Sequence, residues 1–257
     1  SDTVKRKRRS QTGNTPPSVR RPVVPETTPP VRKEERYTFI DGNALDGERD
    51  EEVYLGIDSS LSHFSFSVVT ADGRYFLWCY TPPAPKMVKG VQTNPLWRGN
   101  AQRVAEIDRW LATELMQVKI RGKRVVHVAM EDYAFGAKGQ TFRIGELGGV
   151  VKQRLLRTYG LECTTSYPTL VSTTQVKKFC LGVSADQGKQ LILKGVYKKW
   201  GLDLDDDNMA DSFVLACIAR SLETGVTDYA YEREVIAKLT EHTEWVSPSK
   251  TLSRPKS

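Results

Sequence analysis

The run Val53-Tyr54-Leu55-Gly56-Ile57-Asp58 is almost wholly apolar and ends in a carboxylate. A short apolar run of this kind predicts a buried strand. Residues 63–70 alternate apolar and polar side chains, and residues 74–80 follow a turn at Asp72-Gly73. Together these three stretches predict an antiparallel three-strand meander whose first strand carries an aspartate at its end.

Helical periodicity dominates the chain beyond the meander. It predicts helices over 100–118, 141–158, 172–181, 187–200 and 207–222, a short helix at 230–240, and strands at 124–130 and 161–166. Gly145, Gly148 and Gly149 indicate that the 141–158 helix packs closely against something, because glycine otherwise costs about 1 kcal/mol there. A meander followed by strand–helix units predicts an α/β fold with a mixed sheet and helices on both faces.

Composition narrows the class of protein. The chain has 257 residues and is 39% hydrophobic, enough to bury a core. No apolar run reaches the ~20 residues of a membrane span, so no membrane partner is expected. The four cysteines contain no Cys-x-x-Cys pair and the three histidines are scattered. This spacing predicts reduced thiols in a cytosolic setting rather than a zinc site or a disulfide framework.

Charge divides the chain into regions. Residues 1–36 hold ten Lys or Arg, four acidic residues and six of the 13 prolines, and residues 86–199 hold 20 Lys or Arg against eight acids. We expect a disordered basic, Pro-rich arm over 1–50, a folded domain over 51–224 and a polar tail over 225–257. The basic cluster Lys5–Arg9 is a nucleic-acid arm, a nuclear import signal or a solubilising tail, and the basic middle favours a polyanionic partner.

Three acidic residues stand at positions that can form one metal site. Asp58 and Glu131 each end an apolar strand, and Asp211 lies near the start of the 207–222 helix. Each alone is typical of a strand end or a helix N-terminus. Their combination, with further aspartates at 205–207, predicts a divalent-metal pocket suited to phosphodiester hydrolysis.

The motifs around these acids resemble the RuvC family of Holliday-junction resolvases. They are Gly56-Ile57-Asp58, Glu131-Asp132-Tyr133-Ala134-Phe135, Gly145-Glu146-Leu147-Gly148-Gly149, Thr174-Gln175-Val176-Lys177-Lys178 and Asn208-Met209-Ala210-Asp211. The resemblance spans about 52–222. It implies an RNase H-like fold, a homodimer, and cleavage of four-way DNA junctions with two Mg²⁺ ions that Mn²⁺ can replace. The extended arm and the diverged spacing favour a phage or viral member.

The resemblance also assigns roles to residues. Asp58, Glu131 and Asp211 match the catalytic metal ligands, and either Asn208 or its neighbour Asp207 takes the fourth ligand position. Either Lys189 or Gln187 takes the place of the family's catalytic-region lysine, and Lys189 is favoured.

The DNA contacts expected by resemblance and charge lie on the loop and helices beside the acids. One of Tyr133 and Phe135, with Phe135 favoured, stacks on unpaired junction bases. The backbone contacts come from basic side chains near the site, namely Lys138, Arg143, Lys177 and Lys178. The 141–158 helix is the expected dimer surface.

Two other functions remain compatible with this sequence. One is a different RNase H-like nuclease or polynucleotidyl transferase. The other is a non-catalytic protein that binds DNA junctions, which Asn208 in a ligand position favours. We expect a cytoplasmic location in a bacterial or phage-infected cell, and a nuclear one in a eukaryotic host.

Overall fold

The computed structural model describes residues 32–33, 36–93, 98–132, 141–160, 168–183 and 190–241. These ranges contain the strands β1 (Arg32–Lys33), β2 (Tyr37–Gly42), β3 (Glu52–Asp58), β4 (Phe64–Thr70), β5 (Tyr75–Tyr80), β6 (Met87–Val88), β7 (Val91–Gln92), β8 (Arg124–Glu131) and β9 (Thr169–Val171). The helices are α1 (Asn100–Ile120), α2 (Thr141–Tyr159), α3 (Thr173–Leu181), α4 (Gln190–Trp200), α5 (Asp207–Thr224) and α6 (Ala230–Glu241).

One mixed sheet organises the molecule, with the strand order β1-β2-β5-β4-β3-β8-β9. β3, β4 and β5 form the expected antiparallel meander, while β8 runs parallel to β3 and β9 runs parallel to β8. Helices cover both faces. This is the RNase H-like arrangement, so the predicted fold class is confirmed.

Two apolar cores lie on the two faces of the sheet. α1 and α2 cover one face through side chains such as Leu111 and Val151, which pack on Leu55 and Ile57. α5 covers the other face and is itself covered by α3, α4 and α6. Eleven of the thirteen residues of α5 from Met209 to Ser221 are buried, because the helix lies between the sheet and these outer helices. Among the described residues, no helix has the length and apolarity needed to span a membrane.

The N-terminal arm predicted over 1–50 is too long. β2 pairs with β5 along its whole length, and Ile40 in it is buried. The following segment is held by Lys123, whose buried ammonium donates to the carbonyl oxygen of Asp46 at 2.6 Å and pairs with Glu51 at 2.5 Å. Residues 37–51 are therefore part of the domain. The strand β1 at Arg32–Lys33 also pairs with β2, whereas residues 1–31 and 34–35 lie outside the described part.

The polar tail predicted over 225–257 is also too long, because α6 belongs to the fold. Val235 and Leu239 are buried against the core. Lys199 of α4 forms a buried ion pair with Glu232 of α6. Its ammonium also lies 4.6–5.2 Å from the centroids of four aromatic rings, those of Phe179, Trp200, Tyr229 and Tyr231. Residues 242–257 lie outside the described part.

The smaller differences concern one strand and the glycine-rich helix. The strand predicted at 161–166 lies wholly outside the described residues and stays a prediction, and β9, which was not predicted, begins at Thr169. The 187–200 helix is described from Gln190. Among the described residues, a methyl group added at Gly145 or Gly149 of α2 would meet no atom within 4 Å beyond its own stretch of helix. The close packing expected of these two glycines is therefore not seen in the part of the chain that the structure describes.

We predict that Glu232→Gln destabilises the protein by about 3–5 kcal/mol, because the Lys199 charge would stay buried without its partner. Glu234→Gln on the same helix is the matched control, since it removes an exposed carboxylate that pairs with Lys178. We expect little change from it. Urea unfolding of the three proteins measures the difference. Equal midpoints for the two variants would contradict a structural role for the α4–α6 ion pair.

Candidate metal centre

Strand register places Asp58 beside Glu131. Ile57 pairs with Met130 in the parallel β3–β8 ladder, and Asp58 and Glu131 are the next residues of the two strands. Ile57 and Met130 face the core under α1 and α2. Because side chains alternate along a strand, Asp58 and Glu131 face the opposite side, which α5 covers. The two predicted strand-end acids thus lie side by side on one face.

Gly56 sets the position of α5 over these acids. A Cβ atom at this residue would lie 2.0 Å from the carbonyl oxygen of Ser212 and 2.3 Å from the amide nitrogen of Ala216. Only glycine leaves room for a helix backbone at this distance. A buried hydrogen bond of 2.5 Å between the hydroxyls of Ser67 and Ser212 fixes the same turn of α5. Asp211 directly precedes Ser212, so these contacts also position Asp211 near Asp58.

The electrostatics show that the acids act on one another. Burial, foremost, raises the pKa of the Asp58 carboxyl well above its usual range. The negative charges of Glu131 and Asp211, a hydrogen bond with Glu131, and the charge of Asp207 raise that pKa further. Asp58 is 6% exposed. A buried carboxylate surrounded by other carboxylates is a group that a cation would stabilise.

The donor set fits a hard divalent cation. The predicted ligands offer carboxylate oxygens from Asp58, Glu131 and Asp211, and Mg²⁺ or Mn²⁺ prefers such ligands. For the fourth position, Asp207 interacts with Asp58 by charge. Asn208 donates its side-chain amide to Asp206 at 3.2 Å. This bond uses the amide nitrogen and leaves the carbonyl oxygen of Asn208 as a possible ligand, so the charge of Asp207 is what favours Asp207.

Thr173 is a residue of this centre that the sequence analysis missed. Its hydroxyl donates to the Glu131 carboxylate at 2.5 Å. Thr173 is the first residue of α3, whose N-cap Ser172 forms a capping box with Gln175. The pattern Ser-x-x-Gln after an apolar strand is a recognisable helix start. What the pattern does not show is that β9 lies beside β8, which brings this helix start to Glu131.

Several predicted site residues lie outside the described part of the chain. They are Tyr133, Phe135, Lys138, Gln187 and Lys189, so their roles stay predictions.

Three residues predicted to contact DNA, Lys177, Lys178 and Arg143, are described, and each has a different environment. Lys178 forms an ion pair with Glu234 at 2.5 Å, so Glu234 competes with any phosphate for it. Lys177 is half-buried on the same helix. Arg143 is exposed near the start of α2, and its charge acts on Arg103. Their contacts with DNA remain predictions.

A second group of possible ligands lies beside the acids. Ligand atoms of His63, Cys79 and Asp206 all lie within 4.8 Å of one another. Among the described residues no other group of three His, Cys, Asp or Glu side chains meets this spacing. The acids at Asp58, Glu131 and Asp211 therefore interact without forming so compact a cluster. The sequence analysis expected no zinc site from the scattered cysteines and histidines, and this cluster is a place where the fold nevertheless brings one of each together.

Comparison with known proteins finds solved structures with a similar fold. A solved structure of RuvC from Thermus thermophilus has a TM-score of 0.45 and 19% sequence identity, and covers 67% of this chain and 96% of that one. T. thermophilus RuvC in complex with a Holliday junction substrate has a TM-score of 0.44 and 21% identity, and covers 64% and 90%. No protein-family model and no curated protein matches this chain.

We predict that Asp58→Asn raises the thermal stability of the metal-free protein at neutral pH. Because the pKa of Asp58 is raised, its contribution to stability is complete below the usual carboxyl pKa and is lost as pH rises through the raised value. Melting temperatures in EDTA between about pH 5 and pH 8 should thus fall less steeply in the variant. Asp205→Asn, at an exposed aspartate nearby, should keep the original slope. An unchanged slope in Asp58→Asn would contradict the repulsion.

Proposed function

We propose that this protein is a metal-dependent endodeoxyribonuclease that resolves four-way or branched DNA junctions. The observation that carries the proposal is the convergence of Asp58, Glu131 and Asp211 at the carboxyl ends of the two central parallel strands. Burial and mutual charge raise the pKa of Asp58 there, as expected of a site arranged for cations and phosphate. The motif pattern shared with junction resolvases supports DNA junctions as the substrate.

The side chains would have different roles in such a reaction. Asp58, Glu131, Asp211 and Asp207 would hold two Mg²⁺ or Mn²⁺ ions, which when bound activate a water and stabilise the leaving oxygen. Thr173 holds the Glu131 carboxylate through its hydrogen bond, which limits the orientations that carboxylate can take. The start of α3 lies at Glu131 and that of α5 beside Asp58, and each adds a partial positive charge near the acids.

Basic side chains lie at the same end of the molecule as the acids. α1 ends at the start of β8, so its first residues extend back toward the strand end that bears Glu131. α2 begins after that strand end. Arg103 near the start of α1 and Arg143 near the start of α2 are close enough that burial and then the Arg143 charge lower the pKa of Arg103. Two neighbouring guanidinium groups beside an acidic centre suit a phosphate backbone.

We predict that the purified protein cuts a labelled four-way junction at paired symmetric positions in Mg²⁺ or Mn²⁺. Asp58→Asn, Glu131→Gln and Asp211→Asn should each slow cleavage at least about 100-fold, the scale on which one electrostatic group in an active site acts. Junction binding in Ca²⁺, measured by gel shift, should persist in each variant. Comparing the cleavage rates of Asp207→Asn and Asn208→Ala would then identify the fourth ligand. We expect the larger loss of cleavage for Asp207→Asn.

The same assay separates the competing functions. Linear duplex, flap and RNA–DNA hybrid substrates are cut in parallel with the junction. Preferred cleavage of the hybrid would replace the proposal with a different RNase H-like nuclease. Junction binding with no cleavage in either metal would replace it with a non-catalytic binding protein, the function that Asn208 favours. Full activity of Asp58→Asn would remove Asp58 from the site.

We also propose that the active form is a homodimer that joins through α2. Gly145, Gly149 and Leu156 lie on one side of this helix at helical spacing, Leu156 is 50% exposed, and no described residue from outside α2 packs on the two glycines. The opposite side of α2 is already bound to α1 through the ion pair of Arg154 with Asp108. A second copy would supply the second acidic site that paired symmetric cuts require.

We predict that Leu156→Glu converts the dimer to a monomer, because a charge would lie in an apolar contact between two copies. Tyr197→Glu is the control, since Tyr197 on α4 is 60% exposed and away from this face. Sedimentation measures the mass, and the junction assay should show single nicks in place of paired cuts. A wild-type monomer that makes paired cuts would overturn the dimer.

A further inference from the structure

His63, Cys79 and Asp206 come from three separate elements. His63 ends the β3–β4 connection, Cys79 lies near the end of β5, and Asp206 is the N-cap of α5. Only the fold brings them together, since 16 residues separate the first two and 127 the last two. Their ligand atoms lie within 4.8 Å of one another, and the thiol of Cys79 donates to Oδ2 of Asp206 at 3.8 Å.

The cluster is distinct from the acidic centre. Asp58 pairs with Ser65, and Ser65 pairs with Cys79, so these residues form one row across β3, β4 and β5. Two strand spacings separate the Asp58 and Cys79 backbones by about 9–10 Å. Glu131 lies on the far side of Asp58 in the same row. The sheet thus holds oxygen ligands at one end of the row and a thiol at the other.

Asp206 can bind an ion without releasing the helix it caps. Its Oδ1 accepts the backbone N–H groups of Asn208 at 2.8 Å and Met209 at 3.1 Å. Its Oδ2 faces Cys79. Oδ1 therefore caps the helix while Oδ2 is placed to bind an ion. A metal ion at Oδ2 would leave the α5 cap intact.

We propose that His63, Cys79 and Asp206 form a second metal site, which takes a borderline-soft divalent cation of the zinc class. An imidazole, a thiolate and a carboxylate are ligands typical of zinc, whereas Mg²⁺ avoids sulfur. The ion takes the place of the thiol hydrogen between Cys79 and Asp206, and that proton leaves to water. Three protein ligands leave one coordination position open for water or a substrate group.

The spacing of the cluster suits this ion. Ligand atoms of a tetrahedral zinc site are about 3.4–3.8 Å apart, as bond lengths of about 2.0–2.3 Å require. The Cys79–Asp206 separation of 3.8 Å is already in that range. His63 lies on an exposed connection, so its ring can close the remaining distance by a rotamer change. The bound ion would tie β5 and the β3–β4 connection to the start of α5.

The test uses Co²⁺ as a spectroscopic probe of the whole protein in excess Mg²⁺, which occupies oxygen-only sites. We expect one equivalent of Co²⁺ to produce sulfur-to-cobalt charge-transfer absorption and the visible bands of a tetrahedral ion. Zn²⁺ should displace it stoichiometrically. Because a sulfur band arises only from a thiolate ligand, Co²⁺ at Asp58, Glu131 and Asp211 does not produce it. The result is thus independent of whether the protein cuts DNA.

Matched variants locate the site. Cys79→Ala should abolish the sulfur band, whereas Cys180→Ala should keep it, since both thiols are 4% exposed and only Cys79 faces the cluster. His63→Ala, at an exposed position that should not affect folding, should weaken Co²⁺ binding at least about 10-fold. Asp58→Asn should leave the band unchanged. No sulfur band in the wild type, or a band that survives Cys79→Ala or His63→Ala unaltered, would overturn the proposal.

Discussion

The close contact between Gly56 and the backbone of α5 is the constraint on which the rest of the structure depends. A side chain at residue 56 would overlap Ser212 and Ala216, so the central strand and the buried helix must meet without one. The contact lies two residues before Asp58 and one residue after Asp211. The close contact of α5 with β3 closes the core on this face, and it therefore also sets the distance between Asp58 and Asp211. Core packing and metal chemistry cannot be altered independently here.

Two helix N-termini meet the sheet at one row of polar residues, Glu131 of β8, Asp58 of β3, Ser65 of β4 and Cys79 of β5. α3 presents Thr173 to Glu131, and the α5 cap presents Asp206 to Cys79. Oxygen ligands thus cluster on the two parallel strands, and the softer ligands cluster at the end of the meander. The fold places two chemically different ligand sets on one surface and separates them by a single strand, which bears Ser65.

Local sequence patterns predicted most of the helices and strands, but they did not predict which elements and side chains contact one another. The apolar runs that end at Asp58 and Glu131, and the capped start of α5, are visible within short windows. The strand at 37–42 was missed because its pairing with β5 involves residues 33 to 43 positions away. His63, Cys79 and Asp206 were missed for the same reason, since no spacing rule relates ligands from three elements. The Lys178–Glu234 pair likewise depends on where α6 packs.

The buried pair of Lys199 and Glu232 has a consequence for how the chain folds as it is synthesised. α4 is made some thirty residues before α6, so Lys199 leaves the ribosome with only the Phe179 and Trp200 rings beside it and without its counter-charge Glu232. Until α6 has left the ribosome, that part of the second core contains an unpaired cation and resists closing. The α5 face, and with it the approach of Asp211 to Asp58, would then be completed late in translation. A nascent chain that stops short of α6 would lack the fixed arrangement of Asp58 and Asp211.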